Sequence, residues 1–256
     1  MNIAIVGYGR MGREIATIAI DRGHTIVATI DPAAPDATDQ TIGAAAQRLA
    51  ATPSGQAVTA IDFSLPAAVP TTVEAVCTHQ WSLVLGTTGW DSQRDELLSQ
   101  VSTARVSMVH GHNFSVGAHL FVRVAAFAQR LAERAGGYDV GMVEFHHKGK
   151  KDSPSGTALM IAQHILAEQH KKETLQVNTL LERAIRDEEM HVVSGRVGHI
   201  PGTHTVLFDS LADTIELTHR ARSRGGFAMG AVLAAEWLHE HPGVHGVEAF
   251  FSDLYE

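Results

Sequence analysis

Asn2-Ile-Ala-Ile-Val-Gly-Tyr-Gly-Arg-Met-Gly12 opens the chain, and the reading of this stretch decides the fold. Asn2–Val6 is a short apolar run of the kind that fills a buried parallel strand. Gly7-Tyr-Gly-Arg-Met-Gly12 follows at once, and Arg13–Ile20 has helical spacing. The pattern is G-x-G-x-x-G between a strand and a helix. Gly7 permits the tight turn, Gly9 lets backbone approach a pyrophosphate, and Gly12 lets the helix pack closely on the strand. A second strand, Thr25–Ile30, ends at Asp31, at the spacing where an acid takes the ribose hydroxyls of a nicotinamide dinucleotide. An unliganded βα turn is the competing reading, and it leaves the acid unexplained. Asp31 repels a 2′-phosphate, and Pro32 puts no arginine beside it, so NADH is the preferred cofactor. Arg10 leaves NADPH possible.

The rest of the first half continues the alternation. Val58–Ser64 reads as a strand, Leu65–His79 as a helix, and Ser82–Leu85 as a buried strand before Gly86-Thr-Thr-Gly-Trp90. Val106–Val109 is a further strand before His110-Gly-His-Asn-Phe-Ser-Val-Gly117. Ligands of open parallel sheets bind beyond the carboxyl ends of the strands. Both loops lie there, and their glycines and small hydroxyl residues suit nicotinamide and ribose. Ordinary turn chemistry competes for either loop alone. The alanine-rich stretch Ala33–Gln56 has little pattern and is expected at the surface. From about Val116 the pattern changes. One long helix, Ala118–Ala135, precedes strands at Val140–His147, Met190–Arg196, His204–Ser210 and Asp213–His219, the last two close enough for a hairpin. Strands gathered in this way indicate an α+β unit on a mixed or antiparallel sheet. Phe227–His239 is an apolar helix.

Composition bounds the function. The chain has 256 residues, 45% of them apolar and 19% charged, as expected of a globular protein with a full core in one large or two smaller domains. A net charge of −8 argues against general nucleic-acid binding. The one cysteine, Cys77, excludes an intrachain disulfide and suits a reducing cytoplasm. It lies in an apolar helical run, where a buried small residue is the simpler reading than a nucleophile. No signal peptide or membrane-spanning run is read, so a cytoplasmic protein without a membrane partner is expected.

The richest stretch chemically is Glu144-Phe-His-His-Lys-Gly-Lys-Lys-Asp-Ser-Pro-Ser-Gly-Thr-Ala158. A helix over Pro154–Glu168 is predicted, with Asp152 or Ser153 as its cap and Pro154 in its first turn. The N–H groups of Ser155, Gly156 and Thr157 then face out of the helix end and favour an anion. Lys148, Lys150 and Lys151 sit just upstream. The segment reads as a carboxylate or phosphate cradle with proton donors, His146 and His147, at its edge. Each piece alone fits a solvated loop, but their combination at one strand-to-helix junction favours a site. His219–Arg224 is a second basic cluster, as readily a salt-bridged surface as a ligand contact. Arg196 and Gly198 are weaker candidates. His146 and His147 are adjacent, with no HExxH or cysteine pair, so no metal site is expected.

These segments resemble the 4-hydroxy-tetrahydrodipicolinate reductase family, also called dihydrodipicolinate reductase. Residues 144–158 follow its signature E-x-H-H-x-x-K-x-D-x-P-S-G-T-A. GYGRMG, GTTGW at 86–90, NFSVG at 113–117, and GTHTV with ELTHRARSR at 202–224 extend the likeness over essentially the whole chain. The resemblance implies an NAD(P)H-dependent reductase of lysine and diaminopimelate biosynthesis. It implies an N-terminal Rossmann domain, residues 1–115 completed by 227–256, and a substrate-binding, tetramerising domain over 116–226. By motif position, His146 is the proton donor or its relay and Lys150 the other catalytic residue. His147, Ser155, Gly156 and Thr157 join Lys150 in holding a small dicarboxylate substrate. Gly7, Tyr8, Gly9, Arg10, Met11, Gly12, Asp31, Gly86, Thr87, Thr88, Gly111, His112, Asn113 and Phe114 contact the cofactor. The tighter phosphate loop, His110-Gly-His112, and GTH in place of the frequent G-E-H depart from the family pattern. Two rivals stand beside this reading. A dehydrogenase of diaminopimelate type shares the glycine fingerprint but lacks the HH-x-x-K…PSGT constellation. A non-catalytic nucleotide sensor has no reason to keep His146 and Lys150 together.

Overall fold

Ile3 and Ile5 face one side of the first strand and Ala4 and Val6 the other, and all four are buried. A strand buried on both faces needs helices on both faces. The computed structural model describes residues 1–51, 57–177, 179–180 and 182–255. Its first half alternates β1 (Asn2–Val6), α1 (Arg10–Asp21), β2 (Thr25–Ile30), α2 (Ile42–Ala50), β3 (Val58–Asp62), α3 (Val69–His79), β4 (Ser82–Leu85), α4 (Arg94–Ala104) and β5 (Met108–His110). Helices α2, α3 and α4 pack on the Ala4 and Val6 side with Ala60, Leu83 and Leu85. Helix α1 packs on the Ile3 and Ile5 side with Ile61 and Val84.

The patternless reading of Ala33–Gln56 is corrected over part of its length. Ile42–Ala50 forms α2, capped by the Thr41 hydroxyl, which accepts from the Ala44 N–H at 3.2 Å. It buries Ile42, Ala45 and Ala46. Alanines give little hydropathy contrast, so this periodicity does not stand out in sequence. Residues 52–56 lie outside the described residues.

The next segment forms a unit of its own, Gly117–Ser223. It contains most of α5 (Val116–Ala135), then β6 (Asp139–His146), α6 (Gly156–Ala167), β7 (Thr174–Val177), β8 (Glu189–Arg196), β9 (Thr203–Asp209) and β10 (Thr214–Arg220). The sheet runs β10-β9-β6-β8-β7. Pairs β6–β8 and β7–β8 are parallel, while β6–β9 and the β9–β10 hairpin are antiparallel, so the sheet is mixed. Helices α5 and α6 cover one face, Phe121, Ile161 and Ile165 packing with Val140, Met142 and Val206. The other face carries Val143, Phe145 and Val193, and the last two are 40% and 39% exposed.

The chain then returns to the first unit, which comprises Met1–Val116 and Arg224–Glu256. Helix α7 (Gly225–Glu240) lies on the α1 side, its Ala228, Ala231 and Ala235 packing in one cluster with Ile15 and Ala19. Strand β11 (Val244–Gly246) pairs parallel with β5, and α8 (Val247–Leu254) buries Phe250 and Phe251. The result is a parallel six-stranded sheet of order β11-β5-β4-β3-β1-β2 with helices on both faces, a Rossmann-like arrangement. No helix among the described residues is long and apolar enough to cross a membrane.

Candidate active site

The turn after β1 is built as its glycines require. Gly7 has φ +87, and a Cβ there would lie 2.7 Å from the Phe63 carbonyl oxygen. A Cβ on Gly12 would lie 2.2 Å from the Gly7 carbonyl oxygen, so only glycine lets α1 pack so tightly. At Gly9, the cap of α1, a Cβ would meet nothing within 4 Å, and no side chain caps the helix. The helix start is thus open for an anion. Beside it lies a cavity of about 530 Å³, lined among others by Gly9, Asp31, Thr41, Phe63, Ser64 and Thr72. It sits where β1, β2 and β3 end, on either side of the point where strand order reverses.

Asp31 is held facing this cavity by two amides. The Tyr8 N–H donates to its Oδ2 at 3.0 Å and the Ala33 N–H to its Oδ1 at 2.8 Å. Arg13 stacks over the Tyr8 ring at 4.6 Å but is committed to Asp36 at 2.6 Å, and Arg48 is committed to Asp39. Arg10 is exposed.

The other two loops are more structural than their composition implies. Thr87 is buried, its hydroxyl donating to Asp62 Oδ1 at 2.8 Å and accepting from the Ser64 N–H at 2.8 Å. The Phe63 ring covers Gly86, where a Cβ would lie 2.2 Å from it. Phe114 is a core side chain, edge-on to Phe63 at 5.8 Å. Asn113 Oδ1 accepts from the Ser115 N–H at 2.9 Å and shapes its own turn. Gly111 packs against Val247. Thr88 is exposed, and so is His112, 3.6 Å from Asp91.

In the second unit the strand β6 changes character along its length. Val140, Met142, Glu144 and His146 alternate onto one buried face, so the apolar core gives way to an acid and an imidazole at the strand's end. Glu144 has no exposed surface. Its Oε1 accepts from the Ser155 N–H at 2.9 Å and from Arg196 Nη2 at 3.1 Å. Its Oε2 accepts from the Ser155 hydroxyl. His146 Nδ1 lies 3.1 Å from Oε2, off the line of an ideal hydrogen bond, and His204 Nε2 lies 3.6 Å from it. Burial opposes ionisation of Glu144, but the nearby His146 and His204 imidazoles and the hydrogen bonds from Ser155 outweigh it and hold the carboxyl far below the usual range. The group is an anion at neutral pH.

Helix α6 starts later than its sequence indicates. Ser155 is the cap, its hydroxyl accepting from the Ala158 N–H at 3.1 Å, and Gly156 is the first helical residue. Asp152, Ser153 and Pro154 precede the helix, because Ser155 gives its own N–H and hydroxyl to Glu144 and fixes the turn there. Ser155 is buried and spoken for, whereas Gly156 is exposed. Lys150 reaches Asp152 Oδ1 at 2.9 Å. The Asp152 carboxyl is held below its ordinary range by Lys150 first, with a smaller contribution from the Gly156 N–H. An internal carboxylate thus rests on Lys150, the cation that the sequence assigns to a substrate carboxylate. His147 is exposed.

Three residues were undervalued in the sequence reading. Arg196 binds Glu144 and the Asp152 carbonyl, so it ties the loop to β8. His204 lies between His146 and His219, edge-on to the first at 5.2 Å and stacked on the second at 6.1 Å between ring centroids. Glu144 is their common partner. Burial first, then the neighbouring His204, lowers the pKa of His219. Linear spacing gave no metal set, yet Glu144, His146 and His204 bring ligand atoms within 4.8 Å of one another. Arg196 and Ser155 already donate to that carboxylate.

Comparison with known proteins agrees with both halves. A family model described as dihydrodipicolinate reductase, N-terminus, matches residues 1–114, and its C-terminal counterpart matches residues 117–251. A 4-hydroxy-tetrahydrodipicolinate reductase from Christiangramia forsetii is 35% identical over 258 residues, covering 100% of both chains. The chain belongs to the dihydrodipicolinate reductase family. Another member, from Methanoregula boonei, is 35% identical over 188 residues, 73% of this chain and 72% of its own. Among solved structures, a dipicolinate-bound dihydrodipicolinate reductase from Paenisporosarcina sp. has the same fold, with TM-score 0.68 and 24% identity over 97% of this chain and 98% of that one. A probable dehydrogenase from Thermotoga maritima shares the fold more distantly, with TM-score 0.57 and 11% identity over 96% of this chain and 91% of that one.

Proposed function

We propose that the chain reduces 4-hydroxy-tetrahydrodipicolinate with NADH, using His146 as proton donor and Lys150 as the cation for a substrate carboxylate. The reductase activity and its place in lysine biosynthesis are those of the family. The observation that carries the finer reading is the end of β6. A buried imidazole and the start of α6 are held there by the Glu144 carboxylate, and Lys150 is held just beyond them by Asp152. In the overall reaction the substrate loses water and gains a hydride and a proton. Bound NAD(P)H supplies the hydride. Gly7–Gly12 and the open start of α1 would take its pyrophosphate, and Asp31 its adenosine ribose. Gly86–Thr88 and Gly111–Phe114 would line its nicotinamide half, chiefly through backbone. Lys150 and the N–H groups of Gly156 and Thr157 orient the dicarboxylate and balance charge that builds on it. His147 lies at the edge of the same cradle, and Ser155 shapes it through Glu144. His146 then gives the proton to the reduced substrate.

The reading extends to assembly and compartment. The open face of the second sheet, with Val143, Phe145 and Val193, is an apolar surface suited to pairing with further copies in a homotetramer. The enzyme works in the cytoplasm, with no nucleic-acid or membrane partner.

A coupled assay tests the activity. Aspartate semialdehyde and pyruvate are condensed by the preceding synthase, and loss of NADH absorbance is followed. Consumption that needs all three components is expected, and a background rate only would overturn the reading. A second measurement tests Asp31. Two like charges about 4 Å apart near a protein surface repel by roughly 4 kcal/mol. Asp31→Ser should therefore raise the NADPH:NADH ratio of kcat/KM by at least about tenfold, taking only part of that repulsion. An unchanged ratio would remove Asp31 from cofactor choice.

A further inference from the structure

We propose that Glu144 is a positioning residue which ties the proton donor His146 to the start of α6, so that the acid and the carboxylate cradle act as one rigid piece. This deepens the proposed function and rests on the roles given there to His146 and to Gly156–Thr157. The register makes the tie. Glu144 lies opposite His204 on β9 and opposite Ser194 on β8, while His146 lies opposite Arg196. Two residues apart on one strand, Glu144 and His146 share a face.

An acid on the helix-covered face of a sheet is costly unless every lone pair finds a donor. Here the donors come from three directions. Ser155 gives both its N–H and its hydroxyl, Arg196 gives Nη2, and His146 turns Nδ1 toward Oε2. The Ser155 oxygen also accepts the Ala158 N–H, so the first turn of α6 is joined to β6 through one hydroxyl. A carboxylate 3.1 Å from Nδ1 favours a proton on that nitrogen and leaves Nε2 as the one that hands on the proton. The surroundings keep Nε2 clear. Gly202 has φ +156, and a Cβ there would lie 3.0 Å from His146 Nε2. Val140 and Met142 on the same face belong to the apolar core, whereas Glu144 and Arg196 form a polar pair beyond it. What the pair adds is a fixed relation between an imidazole and a helix end.

The test uses the whole chain and its Glu144→Gln variant, which keeps the side chain's size and removes its charge. General acids contribute on the order of a hundredfold or more. Glu144→Gln should lower kcat by at least about tenfold, a part of that contribution. NADH binding should be unchanged, which shows that the first unit folds, and a wild-type circular dichroism spectrum shows that the second does. If proton delivery is what suffers, the solvent deuterium isotope effect on kcat rises and the effect of deuterated NADH falls. A merely structural role lowers kcat and leaves the balance of the two effects as in wild type. That result, or a kcat unchanged by the substitution, would overturn the proposal. Ser155→Ala removes the hydroxyl's part of the tie from the helix side, keeps the N–H bond, and leaves the Glu144–His146 pair. It should weaken binding of pyridine-2,6-dicarboxylate, and wild-type affinity there would also overturn the proposal, even if Glu144→Gln fails to fold. Wild type inactive in the coupled assay would sink the functional reading itself; wild-type activity with unmoved isotope effects sinks only this inference.

Discussion

Lys150→Ala is expected to lower kcat by at least about a hundredfold, or ~2.7 kcal/mol of transition-state stabilisation, while NADH affinity hardly changes. The Lys150 N–H bonds the His147 carbonyl at 3.1 Å, closing a turn between the strand end and the cradle. Its ammonium lies 2.9 Å from Asp152, and its side chain is 25% exposed. If Lys150 did no more than pair with Asp152, its loss would matter little, because exposed ion pairs contribute at most about 1 kcal/mol. A large fall in kcat therefore separates the two roles. Lys150 does not line the dinucleotide cavity, which is why cofactor affinity should stay. Titrating NADH into both proteins and measuring initial rates gives both numbers. A Lys150→Ala enzyme within a few-fold of wild type would remove Lys150 from the chemistry.

Much of this was legible in sequence, for reasons tied to particular residues. Gly7 and Gly12 are read correctly because their roles, a positive φ and a close packing, exclude other side chains locally. The second sheet is read because β9 and β10 are long, alternating and separated by a short turn. What was missed depends on partners distant in sequence. Strand β11 is three residues long and exists because β5 offers an edge. Helix α4 buries only Leu97 and Val101, so its sequence is mostly polar. Glu144 stood in plain view within the signature, yet its importance appears only when β8 and β9 bring Arg196 and His204 to it. One signal was available. Val140, Met142, Glu144 and His146 share the period of a core-facing strand, and an acid in such a series must have buried partners. The cap of α6 was misplaced for the same reason, since Ser155 is chosen over Asp152 and Ser153 by its bond to Glu144.

Gly156→Val is expected to weaken binding of pyridine-2,6-dicarboxylate by at least about tenfold, or ~1.4 kcal/mol, with fold and NADH binding intact. The structure makes this a clean substitution. A Cβ on Gly156 would meet nothing within 4 Å, and the residue has no positive φ to strain. Glycine is also the poorer helix former by a few tenths of a kcal/mol, so the free protein should not lose stability. Space is therefore open in the free protein and would be contested only when a ligand arrives. Asp152 Oδ1 lies 2.9 Å from the Lys150 ammonium with the Gly156 amide nearby, so a carboxylate already stands at this corner. An incoming dicarboxylate must displace Asp152 and bring its own oxygens against the same amide, where a valine side chain would stand in the way. A plain helix start predicts otherwise: a small gain in stability and no change in affinity. Calorimetric titration of both proteins with the dicarboxylate in saturating NADH decides between them. Equal affinities would mean that the start of α6 caps a helix and holds no substrate.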